Sequence, residues 1–129
     1  MSPQPKKLLT VAFDLDGVIG EYHGFVGKDR LGPPNPEVVS AIRALRARGH
    51  TIIIYSTHGS DVLRAYCEEH QVPFDFINEN PLREGGNKGK PIANVYVDDK
   101  AYRYEGQDAA VLIRDIESFT PYWKEGCSQ

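Results

Sequence analysis

The chain has 129 residues, of which 40% are apolar and 26% charged, and it carries a formal net charge of −3. Such a chain makes one ordinary globular domain that buries roughly two thirds of its unfolded surface, and its charge excludes the basic field that would indicate a nucleic-acid partner. No stretch approaches the roughly 20 apolar residues that span a bilayer, and Met1–Lys7 lacks the apolar run of a secretory signal, so no membrane partner and a cytoplasmic location are expected.

Residues 1–7 read as a disordered lead-in, followed by a first strand over Leu8–Phe13. Ile19–Pro34, with four glycines among polar and aromatic residues, reads as a functional loop or flap. Asn35 is placed to cap a helix with Pro36 at its first position, and Val38, Ile42 and Leu45 recur on one face until Gly49, which predicts a helix over about 36–48. Thr51–Tyr55 is a continuous β-branched run, the signature of a parallel strand covered on both faces. Ser60 is expected to cap a second helix with Val62, Leu63, Tyr66 and Cys67 on its inner side, ending before Val72-Pro73. Further strands are expected at Phe74–Ile77, Ala93–Val97 and Ala109–Ile113, with a helix or tail over 116–129.

Alternating strands and helices require right-handed crossovers. The expected architecture is a single α/β domain: a Rossmann-like three-layer α/β/α sandwich around a mostly parallel five-stranded sheet. Ligands in such sheets bind outside the carboxyl ends of the strands. Asp14 and Asp16 follow the first strand, Ser56 and Thr57 the second, and Asp98 and Asp99 the fourth, so these six should converge. On an extended chain Asp14 and Asp16 point to the same side, and Gly17 lets the backbone turn away at once. An Asp-Gly turn would account for Asp16-Gly17 but leaves Asp14 unexplained. Like charges gathered this closely repel by about 4 kcal/mol per pair at 4 Å and an effective dielectric near 20, so the cluster calls for a cation.

Taken in order, Asp14-x-Asp16-Gly17-Val18, Ser56 or Thr57, Lys90, and Asp98-Asp99 resemble the four motifs of the haloacid dehalogenase-like superfamily of phosphohydrolases, over residues 8–115. The resemblance implies a phosphatase in which Asp14 attacks phosphorus and forms an aspartyl-phosphate, while Asp16 serves as general acid and then base. It implies Mg²⁺ held by Asp14, the backbone carbonyl of Asp16, and Asp98, with Asp99 as a further ligand or water-mediated support. Ser56 would donate to the transferring phosphoryl, and Lys90 would balance its charge. Thr57 and Lys88 are the rivals for these two roles. Gly17, Thr57, His58 and Lys88 are the expected substrate contacts, with Tyr22, His23, Lys28, Arg30 and Arg83 as further loop candidates.

Cys67 and Cys127 have no metal-ligand spacing and read as free thiols. Phe119, Tyr122 and Trp123 read as packing or a partner contact, and His50 and His70 fall at helix ends on the opposite edge. Neither Ile19–Pro34 nor Asn78–Lys88 has room for an inserted domain, so the resemblance is to capless members, whose open site takes a large substrate or is covered by a second copy. Expected partners are therefore a small phosphate ester or a phosphorylated polymer, with homo-oligomerisation a further expectation. Lys90-Pro91 and Tyr96–Ala101 also resemble small phosphatases of sugar-phosphate or surface-polysaccharide metabolism, which sets a sugar phosphate as the substrate prior. Two other classes compete: a phosphate- or nucleotide-binding regulatory module without turnover, and an accessory subunit whose partner covers the open edge.

Overall fold

A computed structural model of the chain describes residues 7–21, 31–82 and 90–124. It is an α/β fold with four parallel strands, β1 (Thr10–Asp14), β2 (Thr51–Tyr55), β3 (Phe76–Ile77) and β4 (Val95–Val97), and three helices, α1 (Pro36–Ala47), α2 (Ser60–Glu69) and α3 (Ala109–Glu117). A short 3₁₀ turn, Tyr122–Lys124, follows α3. No helix among the described residues is long and apolar enough to cross a membrane.

The strand order is β3-β2-β1-β4. After β1 the chain steps outward through α1 to β2 and through α2 to β3, then crosses back to place β4 on the other side of β1. That reversal makes the seam between β1 and β4 a topological switch point, the place where sheets of this kind bind ligands outside the carboxyl ends of their strands. β1 is in register with both neighbours: Asp14 lies opposite Tyr55, and Phe13 opposite both Ile54 and Val97.

Sequence explains the centre of the sheet. Val11, Ala12 and Phe13 are consecutive and all buried, as are Ile52, Ile53 and Ile54, so neither face of β1 or β2 meets water. From α1, Val39 and Ile42 enter this core, with Val38 and Leu45 half-buried against it. Asn35 caps α1 as expected, its side chain accepting from the Glu37 amide at 3.0 Å. From α2, Leu63, Tyr66 and Cys67 are buried. Val62 lies on the shoulder of that stripe and is exposed, against expectation.

Other boundaries shift for identifiable reasons. Gly59, not Ser60, stands at the α2 N-cap; Ser60 is the first helical residue, and its hydroxyl accepts from Asn78 at 3.2 Å. The first strand begins at Thr10, leaving Leu8 exposed, and the third and fourth strands are shortened to Phe76–Ile77 and Val95–Val97. The fifth strand expected at Ala109–Ile113 does not form, since these residues open α3. Asp108 accepts from the Val111 amide at 3.0 Å, a helix N-cap ahead of two alanines, and this local start signal outweighs the apolar run.

Candidate functional site

The backbone leaves β1 through a tight knot. The Leu15 amide donates to Oδ1 of Asp14 at 2.9 Å, fixing the carboxylate's rotation. Leu15, Val18 and Ile19 turn into the core, and Gly17 adopts a φ of +83°, the left-handed region that glycine enters without strain. Space imposes the same choice, because a Cβ at Gly17 would overlap the carboxylate of Asp99. Beyond the knot, Gly20 bridges both Asp16 and Pro34, the Glu21 amide donates to the Pro33 carbonyl at 3.0 Å, and Tyr66 donates to the Gly32 carbonyl at 2.7 Å. The two ends of the expected flap are thus joined beside the site.

Asp14, Asp98 and Asp99 each offer a carboxylate oxygen within 4.8 Å of the others, the arrangement a metal ion requires. At that separation two full charges repel by about 3.5 kcal/mol at an effective dielectric near 20. Asp14 carries the consequence: burial, then the charge of Asp98 and a hydrogen bond to Asp99, push its carboxyl up to about 8. A neutral carboxylic acid at the centre of the cluster is the state expected of a site whose negative charge exceeds its own counter-charge.

Side chains from two segments and a backbone amide from a third hold this cluster. Tyr55, at the end of β2, donates to Oδ2 of Asp98 at 2.7 Å, and the Lys100 amide donates to the other oxygen at 2.8 Å. Burial first, and then the Asp98 contact, push the Tyr55 phenol far above its ordinary range, so it stays a donor. Trp123 donates its indole N–H to Oδ2 of Asp99, and Tyr122 donates its hydroxyl to the Gly17 carbonyl. Asp16 stands apart from the triad and pairs with His58, Oδ2 to Nε2 at 2.7 Å.

The remaining expected site residues take different stations. Ser56 is half-buried; its hydroxyl accepts from the His58 amide at 3.1 Å, and its own amide donates to Asn78 at 3.0 Å. Thr57 is exposed on the same loop. Lys90 lies with its ammonium 4.1 Å from the Tyr96 ring centroid and forms no ion pair with the carboxylates among the described residues. The Tyr96 ring in turn meets Tyr55 edge-on, with the ring centroids 6.2 Å apart. Lys88, Tyr22, His23, Lys28, Arg30, Arg83 and Cys127 lie outside the described residues, as does most of the lead-in over 1–7.

Four contributors escape sequence reasoning as site residues: Tyr55, Asn78, Tyr122 and Trp123. Tyr55 had a signal, since it ends the strand that neighbours β1. Asn78 adopts a φ of +56° and spans Ser56 and Ser60, a placement that only the fold brings together. Tyr122 and Trp123 read as packing, whereas both donate hydrogen bonds into the site. His50 is structural, accepting from the Leu9 amide at 3.0 Å.

No family model matches the chain, and no curated protein does. Among solved structures, the chain is similar to a conserved protein from Bacteroides thetaiotaomicron, at 25% identity over 86% of this chain and 91% of that one, with a TM-score of 0.58. A second similar structure, from Vibrio cholerae, is 20% identical over 84% of this chain and 97% of that one, with a TM-score of 0.46. The first of these likenesses concerns the fold, a small α/β domain with a parallel sheet, and it carries no activity with it.

Proposed function

We propose that the chain is a Mg²⁺-dependent phosphatase of the haloacid dehalogenase-like superfamily, a capless member that hydrolyses a phosphate monoester through Asp14. The observation that carries this reading is the convergence of Asp14, Asp98 and Asp99 at the carboxyl edge of β1 and β4, with Asp16 two residues beyond Asp14 on the same turn and paired with His58. The reading includes the Rossmann-like three-layer arrangement, with helices over both faces of the sheet.

The donor set suits the metal. Three carboxylates supply only hard oxygen ligands, and the raised carboxyl of Asp14 marks an excess of negative charge. Asp14 and Asp98 would hold Mg²⁺ with the Asp16 carbonyl, and Asp99 would add a ligand or a water-mediated contact. When bound, the ion neutralises the cluster and offsets charge on the transferring phosphoryl.

The protein's own groups then perform two displacements. Asp14, ionised once the cluster is neutralised, attacks phosphorus as the bond to the ester oxygen breaks. That oxygen takes its proton from Asp16, leaving an aspartyl-phosphate and a free alcohol. Asp16 next removes a proton from water attacking the same phosphorus, the bond to Asp14 breaks, and inorganic phosphate leaves. His58 fixes the Asp16 carboxyl through both steps. Ser56 or Thr57 donates a hydroxyl to the phosphoryl oxygens, and Lys90 or Lys88 supplies the balancing positive charge.

An open edge with no inserted domain suits either a sugar phosphate or a phosphorylated polymer, the first being the prior that segment resemblance sets. The test is inorganic phosphate release across sugar phosphates, nucleotides and small esters, with Mg²⁺ or chelator. Chelator-sensitive release absent from Asp14→Asn supports the reading. Equal release by Asp14→Asn removes the covalent mechanism, and Mg²⁺-independent binding of phosphate without release favours a regulatory module.

A further inference from the structure

Segment 121–124 lies 105 residues along the chain from Gly17, yet it enters the site through consecutive side chains. Tyr122 donates to the Gly17 carbonyl, and Trp123 donates to Oδ2 of Asp99. Gly17 and Asp99 themselves meet closely enough that no Cβ fits between them. Two adjacent aromatic residues therefore grip the two sides of one seam, and the Lys124 amide closes their turn by donating to the Pro121 carbonyl at 3.0 Å. The Trp123 ring also carries the ammonium groups of Lys100 and Lys124, 5.5 and 5.7 Å from its centroid, which places positive charge near an acidic cluster.

We propose that Trp123 is a positioning residue for the metal site: its indole N–H sets the Asp99 carboxylate toward Asp14 and Asp98, with Tyr122 holding the adjoining Gly17 turn in register. The proposal rests on the cation-dependent reading of the site. An indole nitrogen only donates, so it orients the carboxylate without taking a proton from it. Side chains that orient ligating carboxylates contribute about 10–100-fold to metal affinity. Segment 121–124 thus does for this open site part of what an inserted domain would do, at the cost of two side chains.

Trp123 is the one tryptophan of the chain, so tryptophan emission reports on the surroundings of this ring, Asp99 among them. The experiment titrates the full chain with Mg²⁺, following tryptophan emission and, separately, heat of binding by calorimetry; Trp123→Phe and Tyr122→Phe are titrated by calorimetry, with unfolding temperatures for both. Wild-type emission is expected to change along the calorimetric saturation curve, and Trp123→Phe to weaken Mg²⁺ binding about 10-fold with its unfolding temperature retained. In turnover, Trp123→Phe should raise the half-saturating Mg²⁺ while leaving kcat at saturating Mg²⁺ near wild type.

Flat emission during calorimetrically observed binding would overturn the proposal, and that arm needs no variant to fold. Wild-type affinity in Trp123→Phe would overturn it equally. A wild-type chain that binds no Mg²⁺ by calorimetry removes the cation reading and this proposal with it. A 10-fold weakening in a chain that releases phosphate from no ester supports the role of Trp123 and removes only the phosphatase reading.

Discussion

Tyr55 reaches across the carboxyl edge of the sheet to donate a 2.7 Å hydrogen bond to Asp98, from the β2 position paired in register with Asp14 of β1. One side chain thus couples the three strands that build the site. Because its phenol is held well above the ordinary range, Tyr55 remains a donor at every pH the protein meets. Tyr55→Phe keeps the ring against Tyr96 and removes only the donor. Half-saturating Mg²⁺ should rise about 10-fold, with a stability loss near 1 kcal/mol by urea titration. Unchanged Mg²⁺ dependence would show that Asp98 needs no such support.

Asp14→Asn should abolish turnover and yet stabilise the cation-free protein. The folded state holds the Asp14 carboxyl near 8, against 3.8 for an ordinary aspartate, so between those values the folded chain binds a proton that the unfolded chain has lost. Stability from this proton is complete below pH about 4, declines as pH rises, and is gone above about 8. Asparagine has no proton to lose. In chelator, the urea midpoint of Asp14→Asn should therefore pull ahead of wild type from pH 4 to 8, by about 1–2 kcal/mol, less than the full linkage value because the carboxylate is partly open to solvent. Saturating Mg²⁺ should close the gap by restoring charge balance in wild type. A gap that stays constant with pH would refute the crowded-carboxylate account.

Gly17→Ala tests the seam between the first acidic turn and Asp99. An alanine there is strained at a φ of +83° and overlaps a carboxylate that Trp123 already holds. The strain costs about 1–2 kcal/mol, and Asp99 must swing away, so Mg²⁺ binding should be lost rather than merely weakened. Calorimetry on Gly17→Ala, set beside its urea midpoint, separates the two effects. Retained Mg²⁺ affinity would mean that Asp99 lies outside the coordination set.

The parts of the molecule legible in the sequence are those whose signals are local. Asn35-Pro36 announces α1, and Ile52–Ile54 announces a strand covered on both faces. The carboxylates stand directly after apolar runs, so Asp14, Asp98 and Asp99 could be placed at one edge without knowing side-chain positions. The expected fifth strand is absent because a five-residue apolar run has no period of its own, and the Asp108 cap ahead of it starts a helix. Tyr122 and Trp123 were illegible as site residues for a different reason: their partners, Gly17 and Asp99, become neighbours only after β4 crosses beside β1. His58 was legible as a site residue but not in its station, because the turn that aims it at Asp16 depends on Ser56 and Asn78 together.

That pairing of His58 with Asp16 supplies the last prediction. Asp16 has the proton-transfer role in the proposed mechanism, so its removal should hurt most where the leaving oxygen most needs a proton. Asp16→Asn should retain more activity on nitrophenyl phosphate, whose leaving group departs as a stable anion, than on an alkyl or sugar phosphate, where the loss should reach about 10²–10⁴-fold. His58→Gln, which can still donate to Asp16 but cannot carry charge, should fall between wild type and Asp16→Asn and show the same ordering of substrates, because it disturbs the orientation of the acid and not its presence. His58→Ala should fall further. If His58 variants instead lose activity equally on all esters, then His58 contacts the phosphoryl group, as the sequence alone suggests, and its 2.7 Å bond to Asp16 is a resting contact broken when substrate arrives.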